Sequence, residues 1–315
     1  MTLALVSAAD FFHLDEDLAV LCQALADRGI ATEVVDWHDP TVAWGSFSAA
    51  VLRSPWDYTW HLAEFLDWAE RVAAVTALAN PLSVIRWNTD KHYLLDLERK
   101  GVPIVPTQVV EPCERIEAEL LWAQLEGGRA DEIVVKPVVS AGGRDTERFG
   151  RDELEAATGH ARRLLDAGRS VLIQPYLRSV DERGETAVVF AGDRLTHGFS
   201  KGPILVPGVG FVEGVYREER IEPRQPSPAE AEAAQRALDA MSACVPGHDR
   251  RDLLYARVDL VLDERGEPRI LELELIEPSL FLRYIPDAID AVADAFARFV
   301  HDCEGRSAEA RSPNS

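Results

Sequence analysis

The chain has 315 residues, enough for about two domains, and 47% of them are hydrophobic, so it can bury sizeable cores. Its 33 Lys and Arg residues against 54 Asp and Glu residues give a formal charge of −21, which argues against nucleic acid and anionic membrane surfaces as partners. A small anionic ligand stays open, since a local cluster of Lys and Arg is enough to bind it.

Three further features predict a reduced, cytoplasmic protein. No apolar run approaches the roughly 20 residues of a membrane span. The first residues lack the basic segment of a secretory signal. The cysteines are widely scattered and have no paired spacing, which argues against a disulfide framework or a zinc site.

The first hundred residues alternate between strand-like and helix-like segments, a pattern that indicates a parallel βαβ domain. Short apolar runs and helical spacing predict strands at 2–7, 30–35 and 48–52 and helices at 14–28 and 59–75. Asn88 has the chemistry of a helix N-cap, so a further helix is expected from there to about Arg99.

Beyond Pro106 the pattern changes to strands without regular crossover helices. Apolar runs predict strands at 132–136, 170–175, 186–191, 195–200, 253–263 and 269–276. Helices are expected at 115–126, 152–165, 227–242 and 287–300. The last two strands flank a turn and form a hairpin, and the polar residues from 302 onward are expected to be disordered.

The predicted hairpin carries four charged side chains in an otherwise apolar setting. Strand residues alternate between faces, so Arg257 and Asp259 share one side, as do Glu272 and Glu274 on the adjacent strand. If both pairs face the same way, three carboxylates converge, which is costly unless a cation neutralises them. Such oxygen donors suit Mg²⁺. The alternative is a solvated polar face of a two-sided hairpin.

Lysine is scarce, and its positions predict a site for phosphate. The only lysines are Lys91, Lys100, Lys136 and Lys201, and all but Lys100 are expected at element ends beside Gly, Asn or Pro. Lys136 ends an apolar strand and precedes a small-residue loop with Gly142 and Gly143, the arrangement that a backbone cradle for phosphate requires. Any one of these lysines could equally be a surface residue.

These residues together resemble the ATP-grasp superfamily in order and spacing, in its glutathione synthetase and D-alanine–D-alanine ligase branch. The resemblance rests on Lys91, Lys136-Pro, Gln174-Pro-Tyr-Leu, Arg257-x-Asp259 and Glu272-x-Glu274. It covers about residues 85 to 300. The segments 53–58, 86–91 and 272–279 look most similar to the group that contains the D-cycloserine-forming cyclo-ligase.

The resemblance implies an α/β fold of several parts: an N-terminal parallel βαβ domain followed by the two antiparallel-sheet lobes of an ATP-grasp protein. The expected division is an N-terminal domain at 1–105, a small lobe at 106–180, a large lobe with the metal-binding hairpin at 181–301, and a tail at 302–315.

The resemblance also implies a role for each matching residue. ATP would be held at its phosphates by Lys91, Lys136, Gly142 and Gly143, at adenine by the hinge Gln174, Pro175, Tyr176 and Leu177, and near the ribose by Glu185. Lys201 would contact the γ-phosphate, and Arg257 would stabilise an oxyanion. Two Mg²⁺ ions would be held by Asp259, Glu272 and Glu274, although Glu274 stands where the family usually has Asn.

The implied activity is an ATP-dependent ligase that forms a C–N bond, or closes a ring, on a small amino-acid-like substrate activated by phosphorylation, with release of ADP and phosphate. Three alternatives stay open: a ligase that joins two amino acids, a non-catalytic nucleotide-binding module, and a metal-binding protein without nucleotide. A homodimer is also left open. Residues 202–214 are Gly-rich and are expected to form a lid.

Contacts to the substrate are expected mainly in the N-terminal domain. Arg53, Trp56 and Asp57 follow a strand end, which is where open parallel sheets bind ligands. Arg53 would clamp a carboxylate and Asp57 would hold an amino group. Arg144 and Arg283 are further candidates for a substrate carboxylate.

Overall fold

A computed structural model describes residues 1–114, 130–205 and 220–311 of the chain, with side chains as far as Arg306. The predicted helix at 115–126 and most of the predicted lid lie outside these residues. Three sheets follow one another along the chain, and the first is parallel while the other two are antiparallel. The predicted fold class is therefore confirmed.

The N-terminal sheet is parallel, and helices cover both of its faces, as is usual for parallel sheets. Its strands lie in the order β2-β1-β3-β4 and are β1 (Thr2–Ser7), β2 (Ala31–Asp36), β3 (Ala49–Ser54) and β4 (Ala77–Ala79). Alternate residues of β1 point to opposite faces of the sheet. Leu3 and Leu5 pack with α1 (Asp17–Ala26), and Ala4 and Val6 pack with α2 (Leu62–Ala73).

Two short helices lead from this sheet to the rest of the chain, and one expectation about them is wrong. Asn88 does not begin a helix. It is the last residue of α3 (Leu82–Asn88), and α4 follows at Tyr93–Arg99. The Asn88 amide instead donates to the carbonyl of Leu273 at 2.8 Å and accepts from the amide of Leu275 at 2.8 Å, so it bonds to a distant strand rather than capping its neighbour.

The second sheet is antiparallel and small. Its strands lie in the order β5-β8-β6-β7 and are β5 (Gln108–Val110), β6 (Glu132–Pro137), β7 (Glu147–Gly150) and β8 (Val171–Pro175). One face is covered by α5 (Leu154–Asp166), whose Ala157, Ala161 and Leu164 share a core with Ile133 and Ile173.

The third sheet is also antiparallel and carries the predicted hairpin. Its strands lie in the order β11-β10-β9-β12-β13 and are β9 (Glu185–Ala191), β10 (Arg194–Lys201), β11 (Ile221–Pro223), β12 (Tyr255–Leu262) and β13 (Pro268–Glu274). The short helix α6 (Ser179–Arg183) precedes it. The helix expected at 227–242 is present as α7 (Pro228–Cys244), which packs across this sheet. It begins with a capping box, in which the Ser227 hydroxyl accepts from the Glu230 amide at 3.3 Å.

The last helix is longer than expected. It is α8 (Ile289–Arg311), so residues 302–311 are helical and the disorder expected from 302 is wrong there. Cys303 is buried in the same core as Val300, and Glu304 accepts a hydrogen bond from Ser48 at 2.9 Å. These contacts to the N-terminal domain extend the helix although its composition is polar. In the described part of the chain, no helix is both long and apolar enough to cross a bilayer.

Candidate active site

A cavity of about 640 Å³ opens where the three sheets meet. Three walls enclose it. One comes from the segment after β3 and includes Trp56 and Tyr58, a second comes from β6 and its loop and includes Lys136, and the third comes from the β12–β13 hairpin and includes Glu272. Residues from all three sheets therefore face one space.

The charged residues of the hairpin converge as their alternation predicts. In the antiparallel register Asp259 lies opposite Glu272, and Arg257 lies opposite Glu274. The Arg257 guanidinium donates from Nε to Asp259 Oδ1 at 2.9 Å and from Nη2 to Oδ2 at 3.0 Å, and it also contacts Glu274. The alternative of a solvated polar face is excluded for Asp259, whose exposure is 0%.

Lys201 and Lys91 neutralise two of these carboxylates. Lys201 Nζ lies 2.6 Å from Asp259 Oδ2 and 2.8 Å from Glu185 Oε2. Burial alone would raise the pKa of Asp259, but Arg257 and Lys201 lower it to about 2. Lys91 Nζ lies 3.0 Å from Glu272 Oε1 and donates to the Ser140 carbonyl at 2.7 Å. Both lysines therefore hold fixed positions on the cavity wall.

Lys136 differs from the other two because it is buried without a carboxylate partner. Among the residues that the structure describes, no Asp or Glu oxygen lies within 4 Å of its ammonium group. Burial lowers the pKa of Lys136 to about 8, with the nearby Lys91 acting in the same direction and Glu272 acting against it. An anion bound in the cavity would raise this pKa again by favouring the charged form.

The carboxylates fit a magnesium site by their chemistry. Burial, with Asp259 and Glu272 adding repulsion, raises the pKa of Glu274 to about 8 against the attraction of Arg257. In the described ranges, no three His, Cys, Asp or Glu side chains are arranged around a common metal position, because the three carboxylates contact cationic side chains instead. A divalent cation would relieve the repulsion at Glu274, and oxygen donors of this kind are its usual ligands.

The second sheet supplies a loop and a strand end to the same cavity. Gly142 and Gly143 have positive φ angles of 61° and 71°, which few other residues adopt. The segment from Gln174 to Leu177 also lines the cavity. The Gln174 amide donates to Thr107 Oγ1 at 2.9 Å, and the Arg148 guanidinium lies 3.4 Å from the centre of the Tyr176 ring. Of the predicted lid, residues 206–214 lie outside the described residues.

Arg53 does not contact the cavity, so its expected role as a substrate clamp is wrong. Its side chain is fully buried and is absent from the cavity lining. Nη2 donates to Asp17 Oδ2 at 3.2 Å and lies 3.6 Å from Asp15 Oδ1, while Nη1 donates to the Pro278 carbonyl at 3.1 Å. The guanidinium therefore joins α1 to the segment after β13 behind the cavity wall.

The remaining substrate candidates divide into two groups. Asp57 accepts from Trp37 Nε1 at 2.9 Å and pairs with His38 at 2.6 Å, and the exposed Arg283 pairs with Glu16 at 2.6 Å, so neither lines the cavity. Trp56 and Arg144 do line it. The Arg144 guanidinium also lies 4.0 Å from the centre of the exposed Trp60 ring, which joins the glycine loop to the N-terminal wall.

The structure adds cavity residues that the sequence reasoning did not assign. Tyr58, Glu277, Ser279 and Phe281 line the N-terminal side of the cavity. The segment that carries Phe281 is held by Asp17, whose carboxylate accepts from the amide of Leu280 at 2.6 Å and from that of Leu282 at 2.7 Å. The available signal was the position of Tyr58 in the 53–58 segment and of Glu277 and Ser279 in the 272–279 segment, and the resemblance gave none of them a role.

Comparison with known proteins agrees with this architecture. Residues 3–80 match the family model described as the N-terminal domain of D-cycloserine synthetase DcsG. The chain is 39% identical over 297 residues to the cycloserine biosynthesis protein DcsG of Streptomyces lavendulae, which covers 94% of this chain and 97% of that protein. The crystal structure of D-cycloserine synthetase DcsG superposes with a TM-score of 0.85 at 38% identity, covering 95% of this chain and all of that one (100%).

More distant structures share the fold. The ATP-grasp ligase PsnB, solved with a precursor peptide and AMPPNP, has a TM-score of 0.61 at 18% identity over 95% of this chain and 98% of that one. D-alanine–D-alanine ligase from Bacillus anthracis has a TM-score of 0.64 at 13% identity over 99% of each chain. The resemblance to ATP-grasp proteins is confirmed, and the chain belongs to the DcsG family of ATP-grasp ligases.

Proposed function

We propose that this protein is an ATP- and Mg²⁺-dependent ligase that closes a ring within a small amino-acid substrate, and the similarity to a protein named D-cycloserine synthetase supports this proposal. The observation that carries the proposal is the convergence of Lys91, Lys136 and Lys201 with the hairpin carboxylates on one cavity. The proposed domains are residues 1–105, 106–180 and 181–301, each of which contains one of the three sheets.

The nucleotide would lie between the second and third sheets. Lys136 supports this placement because it is a buried cation on a strand that leads into Gly142 and Gly143. Adenine would rest against the hinge at 174–177, with Glu185 near the ribose. Lys91 and Lys201 would release their carboxylate partners and turn to the phosphates, since each ammonium group already faces the cavity.

Mg²⁺ would be held by Asp259, Glu272 and Glu274, and it would neutralise charge on the transferring phosphoryl group. Glu274 adds a negative charge where the family usually has an amide. Its raised pKa shows that the cavity does not compensate this charge fully. We therefore expect Glu274 to bind the metal as a carboxylate once the repulsion from Asp259 and Glu272 is relieved.

The chemistry follows from the bonds that must form and break. A substrate carboxylate oxygen attacks the γ-phosphorus of ATP, the bond to the β–γ bridging oxygen breaks, and ADP leaves. A nitrogen on the substrate side chain then attacks the activated acyl carbon, phosphate leaves, and the nitrogen gives a proton to solvent. Arg257 would stabilise the oxyanion of the tetrahedral state, because its guanidinium lies at the cavity wall beside Asp259.

Phosphate release from MgATP tests the proposal. The panel contains amino acids, ureido amino acids and O-amino-D-serine, the open-chain amino acid obtained by breaking the amide bond of the D-cycloserine ring. A cyclo-ligase needs one compound only, whereas a ligase that joins two amino acids needs both at once. Thermal stabilisation by MgATP beyond that by Mg²⁺ alone would separate the ligase from a metal-binding protein.

Site variants complete the test. Asp259→Asn and Lys136→Ala should each lower turnover by at least about 100-fold, as expected when a group that stabilises the transition state is removed. Lys100→Ala is the matched control, because Lys100 is exposed and lies outside the cavity. Full turnover in both site variants, or no stimulation by any compound of the panel, would contradict the proposed function.

A further inference from the structure

One carboxylate of the cavity stands apart from the charge pairs. Glu277 follows β13 and faces the cavity. Asp259, Glu272 and Glu274 each contact a Lys or Arg side chain. Over residues 1–114, 130–205 and 220–306, by contrast, no Lys, Arg or His nitrogen lies within 4 Å of the Glu277 carboxylate. Its charge therefore lacks an ionic partner in this part of the protein.

The position of Glu277 is set by the N-terminal wall. Trp56 Nε1 donates to the backbone carbonyl of Glu277 at 3.4 Å, and the Tyr58 hydroxyl lies close to the Glu277 carboxylate. The next residue, Pro278, accepts from the buried Arg53 at 3.1 Å. The carboxylate is thus held on the side of the cavity that the glycine loop and the hinge do not form.

The surroundings of Glu277 favour a cation. Trp56 and Tyr58 lie beside it and line the same cavity, and aromatic rings attract an ammonium group. A partly buried carboxylate without a cationic partner is costly, so a positively charged ligand group would bind there with a net gain. Burial raises the pKa of Glu277 to about 7, and the neighbouring Lys91 and Tyr58 only partly oppose this rise.

We propose that Glu277, supported by Tyr58 and Trp56, binds the α-ammonium group of the amino-acid substrate and thereby selects substrates that carry it. This inference rests on the proposed function for the substrate class. It assigns to Glu277 the amino-group contact that the sequence had suggested for Asp57, which lies outside the cavity lining. Lys91, Lys136 and Lys201 carry the opposite charge and would bind phosphates, so the two charged ends of the reaction would have separate contacts.

Two probes and one substitution test the role of Glu277. The probes are O-amino-D-serine and 3-(aminooxy)propanoate, which differ only in the α-amino group. Binding of each is measured by calorimetry to the full chain with AMPPNP and Mg²⁺. We expect Glu277→Gln to weaken the binding of O-amino-D-serine by about 10- to 100-fold, which is the effect of losing one charge-assisted hydrogen bond. The affinity for 3-(aminooxy)propanoate should stay unchanged.

Controls separate this role from a structural one. Glu277→Asp keeps the charge and should retain part of the discrimination between the probes. Glu264→Gln is the matched control, since Glu264 is exposed in the turn of the same hairpin. AMPPNP affinity should be the same in all variants. The inference would be overturned if Glu277→Gln weakened the binding of both probes equally or of neither. It would also be overturned if the wild-type protein bound neither probe.

The proposed function can fail separately. If no compound of the panel stimulates phosphate release while Glu277→Gln still abolishes the preference for the amine-bearing probe, the ligase proposal is wrong and the ammonium site stands. If phosphate release is robust while Glu277→Gln leaves the preference intact, the ammonium site is wrong and the ligase proposal stands.

Discussion

Replacement of Arg53 distinguishes a structural ion pair from a substrate contact. The guanidinium has an exposure of 0% and lies 3.2 Å from Asp17 and 3.6 Å from Asp15, both of which are buried. In Arg53→Met the stem of the side chain is kept but the two carboxylates lose their cation. Burial already raises the pKa of Asp17 against the attraction of Arg53, so one carboxyl group is expected to take up a proton in the variant.

The expected cost is large because only one side of a buried pair is removed. Such changes typically destabilise proteins by about 3–5 kcal/mol. Urea unfolding followed by tryptophan fluorescence measures this loss. Arg86→Met is the matched control: Arg86 pairs with Glu70 at 2.7 Å at the surface, and an exposed pair contributes about 1 kcal/mol or less. Adding Asp15→Asn to Arg53→Met should recover part of the loss, because it removes one unpaired carboxylate.

Steady-state kinetics of Arg53→Met test the opposite view, that Arg53 contacts the substrate. If Arg53 were a substrate clamp, Arg53→Met would raise the KM for the amino-acid substrate and would leave the midpoint of urea unfolding unchanged. If Arg53→Met changes the free energy of unfolding by less than about 1 kcal/mol and raises KM by about tenfold or more, the reasoning from burial is refuted.

Three further outcomes are expected. His197 is buried and donates to the Leu280 carbonyl at 2.8 Å, and burial lowers its pKa to about 4, so stability present above pH 6.5 is lost as the pH falls toward 4, by up to about 3 kcal/mol. Urea titrations from pH 7.5 to 4.5 should show this loss reduced in His197→Gln. Asn80 makes three buried hydrogen bonds, to Leu254, Tyr255 and Leu275, so Asn80→Ala should cost about 3–4 kcal/mol in urea unfolding. Gln235→Ala should cost little, because the side chain of Gln235 is only half-buried and its amide donates to Asp239 at the surface. EDTA should abolish substrate-stimulated phosphate release, and excess Mg²⁺ should restore it; release that persists in EDTA would contradict the metal assignment.

The fold was predictable wherever local pattern and tertiary packing agree. The first strand, Thr2–Ser7, has the predicted bounds because an uninterrupted apolar run is what a strand with two covered faces requires. Asn88 shows where local reasoning fails. Its side chain suits a helix cap, but its partners Leu273 and Leu275 lie 185 and 187 residues away in sequence. No local pattern contains that information.

For the candidate site, too, local strand geometry could be predicted from the sequence and long-range contacts could not. Alternation along two adjacent strands was enough to place Arg257, Asp259, Glu272 and Glu274 together, because the geometry of an antiparallel hairpin fixes the relation between them. Arg53 follows a strand in the same way that substrate-binding residues do. Its partners come from a helix 36 residues earlier in the chain and from a carbonyl 225 residues later, so the sequence pattern alone could not show that its charge is already neutralised.

The formal charge of −21 for the whole chain differs from the balance of charges at the cavity. Among the described residues that line it, four carboxylates stand against five cationic side chains. The carboxylates belong to Glu185, Glu272, Glu274 and Glu277, and the cations to Lys91, Lys136, Arg144, Lys201 and Arg257. The buried Asp259 lies behind this lining in contact with Lys201 and Arg257. The cavity therefore has no excess of negative charge although the protein is strongly acidic. A triphosphate would add several negative charges to a low-dielectric space in which every lysine except Lys136 already has a carboxylate partner. We therefore expect nucleotide binding to depend on divalent cations, which would neutralise the phosphates and would replace the lysines as partners of the hairpin carboxylates.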